Sequence, residues 1–146
     1  MSKYKNILIA IDGSEMSDAV MEAAKEIIHE DSNVYVETIV DYPGTLGAIN
    51  EDAIIESDYE KAEKDLAEII ARHPDLKLLV KSFVAEVQVG NPHKMLAREI
   101  PDELGIDVIV IGKTTKTSLM DKIFIGSTAK AIVADARCDV IVVKTM

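Results

Sequence analysis

Tyr4-Lys-Asn-Ile-Leu-Ile-Ala-Ile11, followed at once by Asp12-Gly13-Ser14, is the stretch from which the architecture is read. Its end is apolar on both alternating faces. Such a run suits a strand covered on both sides, as in a parallel sheet with helices above and below. Asp12-Gly13-Ser14 is a turn signal. Beyond it the period changes: Met16, Val20, Ala23, Ala24, Ile27 and Ile28 fall at spacings of three and four, an amphipathic helix that Ser14 or Ser17 can cap.

The same alternation continues outward from this unit. Val34 to Val40 reads as a second strand, and the loop from Asp41 leads to Asn50, which can cap a second helix. Ile55, Tyr59, Ala62, Leu66 and Ile69 give that helix a buried stripe, and His73-Pro74 ends it. Leu76 to Val84 is expected as the third strand, near an edge because Lys77 and Lys81 interrupt it. Gly90-Asn91-Pro92 marks a helix start, with Asn91 as cap and Pro92 in the first turn. Pro101 lacks an N–H and is expected to kink or split that helix, which ends at Gly105. Asp107 to Ile111 is a central fourth strand, Gly126-Ser127-Thr128 opens a last helix, and Val140 to Val143 is a fifth strand. Strand and helix alternate to the end, as in an open, doubly wound α/β sheet with right-handed crossovers, occupying residues 1–146 as one domain.

Composition narrows the function. The chain has 146 residues and a formal net charge of -10, which opposes any broad nucleic-acid or anionic-membrane surface. One cysteine, Cys138, rules out an internal disulfide framework and a Cys-rich metal cluster. The start has no signal-peptide architecture, and the apolar runs fall far short of the roughly 20 residues that span a bilayer. A cytoplasmic protein is expected.

Ligands in such sheets bind past the carboxyl ends of the strands, where strand order reverses. Asp12-Gly13-Ser14, Ile39-Val40-Asp41 and the stretch from Gly112 to Thr128 all land there. Gly126-Ser127-Thr128 combines a close-approach glycine, free helix N–H groups and two hydroxyls, a phosphate-binding chemistry that is also that of a plain helix cap. Between Gly112 and Lys130 stand Lys113, Lys116, Lys122 and Lys130 against one acid, Asp121. A local basic patch in an acidic chain fits one bound polyphosphate or a solvated loop. Gly112-Lys113-Thr114 is not a P-loop tail, because the required first glycine falls on Asp107. A dinucleotide fingerprint is absent after the first strand.

These residues together resemble the universal stress protein family, in its small single-domain bacterial or archaeal type. The marks are Ile7-Leu-Ile-Ala-Ile-Asp12-Gly13-Ser14, Gly90-Asn91-Pro92, Val110-Ile111-Gly112, Gly126-Ser127-Thr128 and Cys138-Asp139-Val140-Ile141-Val142-Val143, in order over the full length. The resemblance implies five parallel strands in the order 3-2-1-4-5, the adenine nucleotide alpha hydrolase-like arrangement, and a homodimer through the last strand. It implies a cytoplasmic stress-response sensor or regulator that binds ATP, with or without Mg2+. Asp12, with Gly13 beside it, and the backbone at Ile39 would hold adenine; Gly112 and Lys113 would lie by the ribose and phosphates; Gly126, Ser127 and Thr128 would hold the phosphates. The nucleotide-binding branch carries G-x2-G-x9-G-[ST]. Here the second glycine is replaced by Thr115, and ten residues, 116 to 125, separate it from Gly126. Threonine is β-branched and tolerates neither positive φ nor close approach. Either the lysines compensate and nucleotide binds, or the chain is a nucleotide-free dimeric interaction module.

Catalysis has little support. His29, His73 and His93 are not spaced with acids or Cys138 as a triad or metal site, so at most slow ATP hydrolysis is expected. The last strand, Val140-Ile141-Val142-Val143, carries no charge and is expected at a sheet edge, where a second copy can pair with it.

Overall fold

The computed structural model describes residues 4–14, 16–41, 51–113 and 127–144. Its elements run β1 (Asn6–Ala10), α1 (Met16–Lys25), β2 (Asn33–Asp41), α2 (Glu51–Arg72), α3 (Pro74–Leu78), β3 (Ser82–Gly90), α4 (Pro92–Lys94), a π-helical turn (Met95–Glu99), α5 (Ile100–Leu104), β4 (Val108–Gly112), α6 (Ser127–Asp135) and β5 (Asp139–Val143). The five strands form one parallel sheet in the order β3-β2-β1-β4-β5. The expected 3-2-1-4-5 order holds.

Strand alternation divides the core into two layers. Ile7, Ile9, Val108 and Val110 face α1, α2 and Leu76 of α3. Leu8, Ile109 and Ile111 face Leu96, Ala97 and Ile100 of the π-turn and α5, and Ala129 and Ile132 of α6. Ile7, Leu8 and Ile9 are all fully buried, which is why this segment is apolar on both faces.

Local chemistry places the helices. Ser14 is the cap of α1: its Oγ accepts from the Met16 N–H at 3.2 Å, while its carbonyl accepts from the Ser17 N–H at 3.0 Å. Ser17 is buried inside the helix. Asn91 caps α4, its Oδ1 accepting from the Lys94 N–H at 3.1 Å. Pro101 splits the segment as expected, and the π-turn is how: the Ile100 N–H reaches back five residues to the Met95 carbonyl immediately before the residue that cannot donate. At the amino end of the sheet, Asp107 Oδ2 accepts from the Lys5 and Asn6 N–H groups at 3.0 and 2.8 Å, tying the starts of β1 and β4 together.

One element differs from expectation. The third strand is Ser82–Gly90, not Leu76–Val84. Pro74 starts a short helix instead, in which Leu76 is fully buried while Leu78 is 83% exposed. The strand pattern lies further on: Phe83, Ala85 and Val87 face the core, and Val84, Glu86 and Gln88 alternate with them. β3 is nevertheless an edge strand, as expected, and β5 is the other edge.

Candidate functional site

The strand order reverses between β1 and β4, so their carboxyl ends open the crevice. On the β1 side the chain turns sharply at Asp12-Gly13-Ser14. Asp12 Oδ1 accepts from the Ser14 N–H at 3.0 Å, and Gly13 has φ +78°, a conformation side chains rarely adopt. A Cβ on Gly13 would lie 2.6 Å from Asp65 Oδ2, so an α2 acid also stands against this turn. Ile39 sits at the end of β2, and the Ile11 N–H donates to the Glu37 carbonyl at 3.1 Å, holding β1 and β2 together up to Asp12.

On the β4 side are Gly112 and Lys113. The Lys113 N–H donates to the Val143 carbonyl at 2.8 Å, which extends the β4–β5 pairing. Gly112 is not simply open to a ligand. A Cβ there would meet Met16 Cβ at 3.2 Å and Val20 Cγ2 at 3.5 Å, so its bareness lets α1 approach the sheet. α6 begins at Ser127, with Thr128 exposed. Thr115 and Gly126 lie outside the described residues, as does the Ser127 side chain. The structure thus gathers Asp12, Gly13, Ile39, Gly112 and Lys113 at the carboxyl end of the sheet, with α6 following β4 in the chain.

Away from the crevice the fold pairs groups that the sequence keeps far apart. His73 is buried; its Nε2 lies 2.7 Å from Asp18 Oδ1, and its Nδ1 lies 3.1 Å from both Lys25 Nζ and Glu22 Oε2. Arg72 first, then His73, hold the Asp18 carboxyl below its ordinary value. His93 Nε2 meets Asp135 Oδ2, joining α4 to α6. Burial pushes the Cys138 thiol up, away from a reactive thiolate. No group of three His, Cys, Asp or Glu among the described residues could hold a metal ion.

The residue that sequence reading missed is Glu37. It is 1% exposed in the middle of β2. Its Oε1 accepts from Gln88 Nε2 at 2.8 Å, and its buried Oε2 has no partner. Burial first, and the nearby Glu86, push its carboxyl up from 4.5 to about 8. The available signal was one acid at an inward position of a run otherwise rich in β-branched residues.

The profile of the universal stress protein family matches residues 3–144. The chain belongs to the universal stress protein family. A relative in Staphylococcus haemolyticus, named for the same family, is 28% identical over 148 residues, covering 99% of this chain and 87% of its own. Solved structures share the fold. Universal stress protein UspA from Lactobacillus plantarum superposes with a TM-score of 0.79 at 22% identity, over 98% of this chain and 99% of the other. A universal stress protein in complex with cAMP gives 0.66 at 20% identity, over 99% and 100%. One from Archaeoglobus fulgidus in complex with dAMP gives 0.56 at 22% identity, over 97% and 98%. Some universal stress proteins of this fold therefore hold adenine nucleotides. No described helix of this universal stress protein is long and apolar enough to cross a membrane.

Proposed function

We propose that this universal stress protein binds an adenine nucleotide, ATP in the first instance, in the crevice between β1 and β4, and serves as a cytoplasmic sensor or regulator in a stress response. The observation that carries this reading is the polarity of the crevice. Asp12 stands on the β1 side, where a base or ribose can donate hydrogen bonds to its carboxylate, while Asp65 behind the turn is paired with Lys61 at 2.9 Å. Lys113 and the start of α6 lie on the β4 side, where a phosphate is attracted. A nucleotide has matching ends. Asp12 and the Ile39 backbone would hold adenine, Gly13 would shape the turn beside it, and Gly112 would border the ribose. Lys113, Gly126, Ser127 and Thr128 would hold the phosphates, with Thr115 in the loop between. A Mg2+ ion accompanying them would meet Asp12 or Asp41. The role is binding, with at most slow ATP hydrolysis.

Native mass spectrometry of the purified protein tests this: a co-purifying mass equal to ATP or ADP supports it. Lys113→Glu is expected to weaken ATP binding about tenfold or more, roughly 1.4 kcal/mol, because it reverses a charge on the phosphate side. Equal ATP affinity in the two proteins would remove Lys113 from the site, and the absence of a thermal shift at millimolar ATP would defeat the reading.

A nucleotide-free dimeric module is the second reading. Two observations favour it: α1 packs closely over Gly112, which gives that glycine a role without any ligand, and Thr115 stands where the nucleotide-binding pattern has glycine. In either case we propose pairing through β5, an edge strand whose Val140, Ile141, Val142 and Val143 are half-buried and uncharged. Val142→Asp would bury an unpaired charge in that seam and is expected to give monomers. Sedimentation at micromolar concentration checks this, and a wild-type mass of one chain, 16.0 kDa, would overturn it.

A further inference from the structure

Glu37 is more than a buried acid, because of where its strand and its partners lead. By alternation with Tyr35 and Ile39 it faces the helical layer formed by α4, the π-turn and α5. Its backbone carbonyl holds Ile11, the residue before Asp12, and its side chain bonds Gln88, two residues before the β3–α4 junction at Gly90. The carboxyl therefore ties β2 to β3, and the backbone of the same residue holds the chain just before Asp12, behind the crevice.

The charges that act on its carboxyl are acidic, while Arg98 of the π-turn is exposed and bonded to the Asp135 carbonyl and Glu99 is exposed. From β3 come Glu86 and Gln88, whose Nε2 is shared between Glu37 at 2.8 Å and Glu86 at 3.1 Å. From α5 comes the charge of Glu103. Across β1 the neighbours are Leu8 and Ala10, and on β2 itself Tyr35. On α4, His93 is engaged by Asp135 and Lys94 is exposed. The charged groups of α1 and α2 lie on the opposite side of the sheet. A carboxylate here has one amide donor, one bare buried oxygen and two like charges nearby, so its negative form is poorly accommodated.

We propose that Glu37 is a proton-operated latch: protonated, it keeps β2 packed beneath α4 and bonded to β3 through Gln88, and ionised, it draws water into that face and loosens it. The direction follows from linkage. The folded protein keeps this proton up to about pH 8, whereas the unfolded chain releases it near 4.5. Across that window the unfolded state binds fewer protons, so stability falls as pH rises and the loss is complete above the folded value. The segments that loosen are those leading into the crevice, so the latch would make its rim responsive to proton concentration.

Thermal unfolding of the ligand-free protein from pH 6 to pH 9 tests this, with Glu37→Gln as the variant that keeps the amide-sized shape but cannot ionise. The wild-type melting temperature is expected to fall by about 5 °C or more beyond the fall seen in Glu37→Gln. Parallel profiles would overturn the proposal. Should the variant not fold, hydrogen exchange in the wild type, corrected for intrinsic rates, decides. Protection at residues 84–96 is expected to fall about tenfold between pH 6 and pH 9 while that of residues 108–111 holds. A uniform change, or none, would overturn it.

Discussion

Leu76→Ala is expected to lower stability by about 2–5 kcal/mol in urea unfolding, while Leu78→Ala is expected to change it by less than about 0.5 kcal/mol. Leu76 is fully buried and Leu78 is 83% exposed, two residues apart. In a strand those positions would share one face and respond alike. In the helix that begins at Pro74 they point apart, Leu76 into the layer with Ile69 and Val34 and Leu78 to solvent. Removing the Leu76 side chain leaves a cavity in that layer, and its cost adds to the lost burial. Equal losses at the two positions would return this segment to the sheet.

Gly112→Val is expected to destabilise the ligand-free protein by about 1–3 kcal/mol. The reason is overpacking. The first atom of any side chain there would already be 3.2 Å from Met16 Cβ, which is fixed to the α1 backbone, and valine adds two methyl groups. Relief requires α1 to move off β4. Because α1 starts directly after the Asp12-Gly13-Ser14 turn, that displacement also shifts the β1 side of the crevice. Denaturant unfolding without nucleotide separates the two roles of this glycine. A variant of unchanged stability that had lost ATP binding would make Gly112 a ligand-contact residue and not a packing one.

Leu76 to Val84 looks like a strand because its apolar residues are close together. Alternation alone does not separate a short helix leading into a strand from one longer strand. Pro74 was the local sign of a helix start, and its effect depends on Leu76 finding a place in the core. Gly112 looks like a ligand-contact glycine because it ends a strand at the crevice. That it also lies under Met16 and Val20 depends on the approach of α1, which no local pattern encodes.

The site shows the same division. Asp12, Gly13, Ile39, Gly112 and Lys113 could be placed at the carboxyl end of the sheet from strand ends and topology, since every strand of a parallel sheet runs the same way. Glu37 could not be singled out as an unmatched carboxyl. Its burial depends on the register of β2 against β3, which sets Ile39 beside Gln88 and lets Gln88 reach back to it. His73 with Asp18, and His93 with Asp135, are separated by 55 and 42 positions and meet only through the packing of α1 on the α2–α3 corner and of α4 on α6.

Sequence by itself determined the alternating strand–helix order, the doubly covered central strands, the cap at Asn91 and the break at Pro101, and narrowed the first cap to Ser14 or Ser17. These depend on periodicity, turn chemistry and a missing N–H, all of which act within a few residues. Tertiary structure alone decided the start of β3, the second role of Gly112, the histidine–carboxylate pairs and the lone buried oxygen of Glu37. Each of these depends on which distant atoms close around a group, and desolvation and close packing act between neighbours in space.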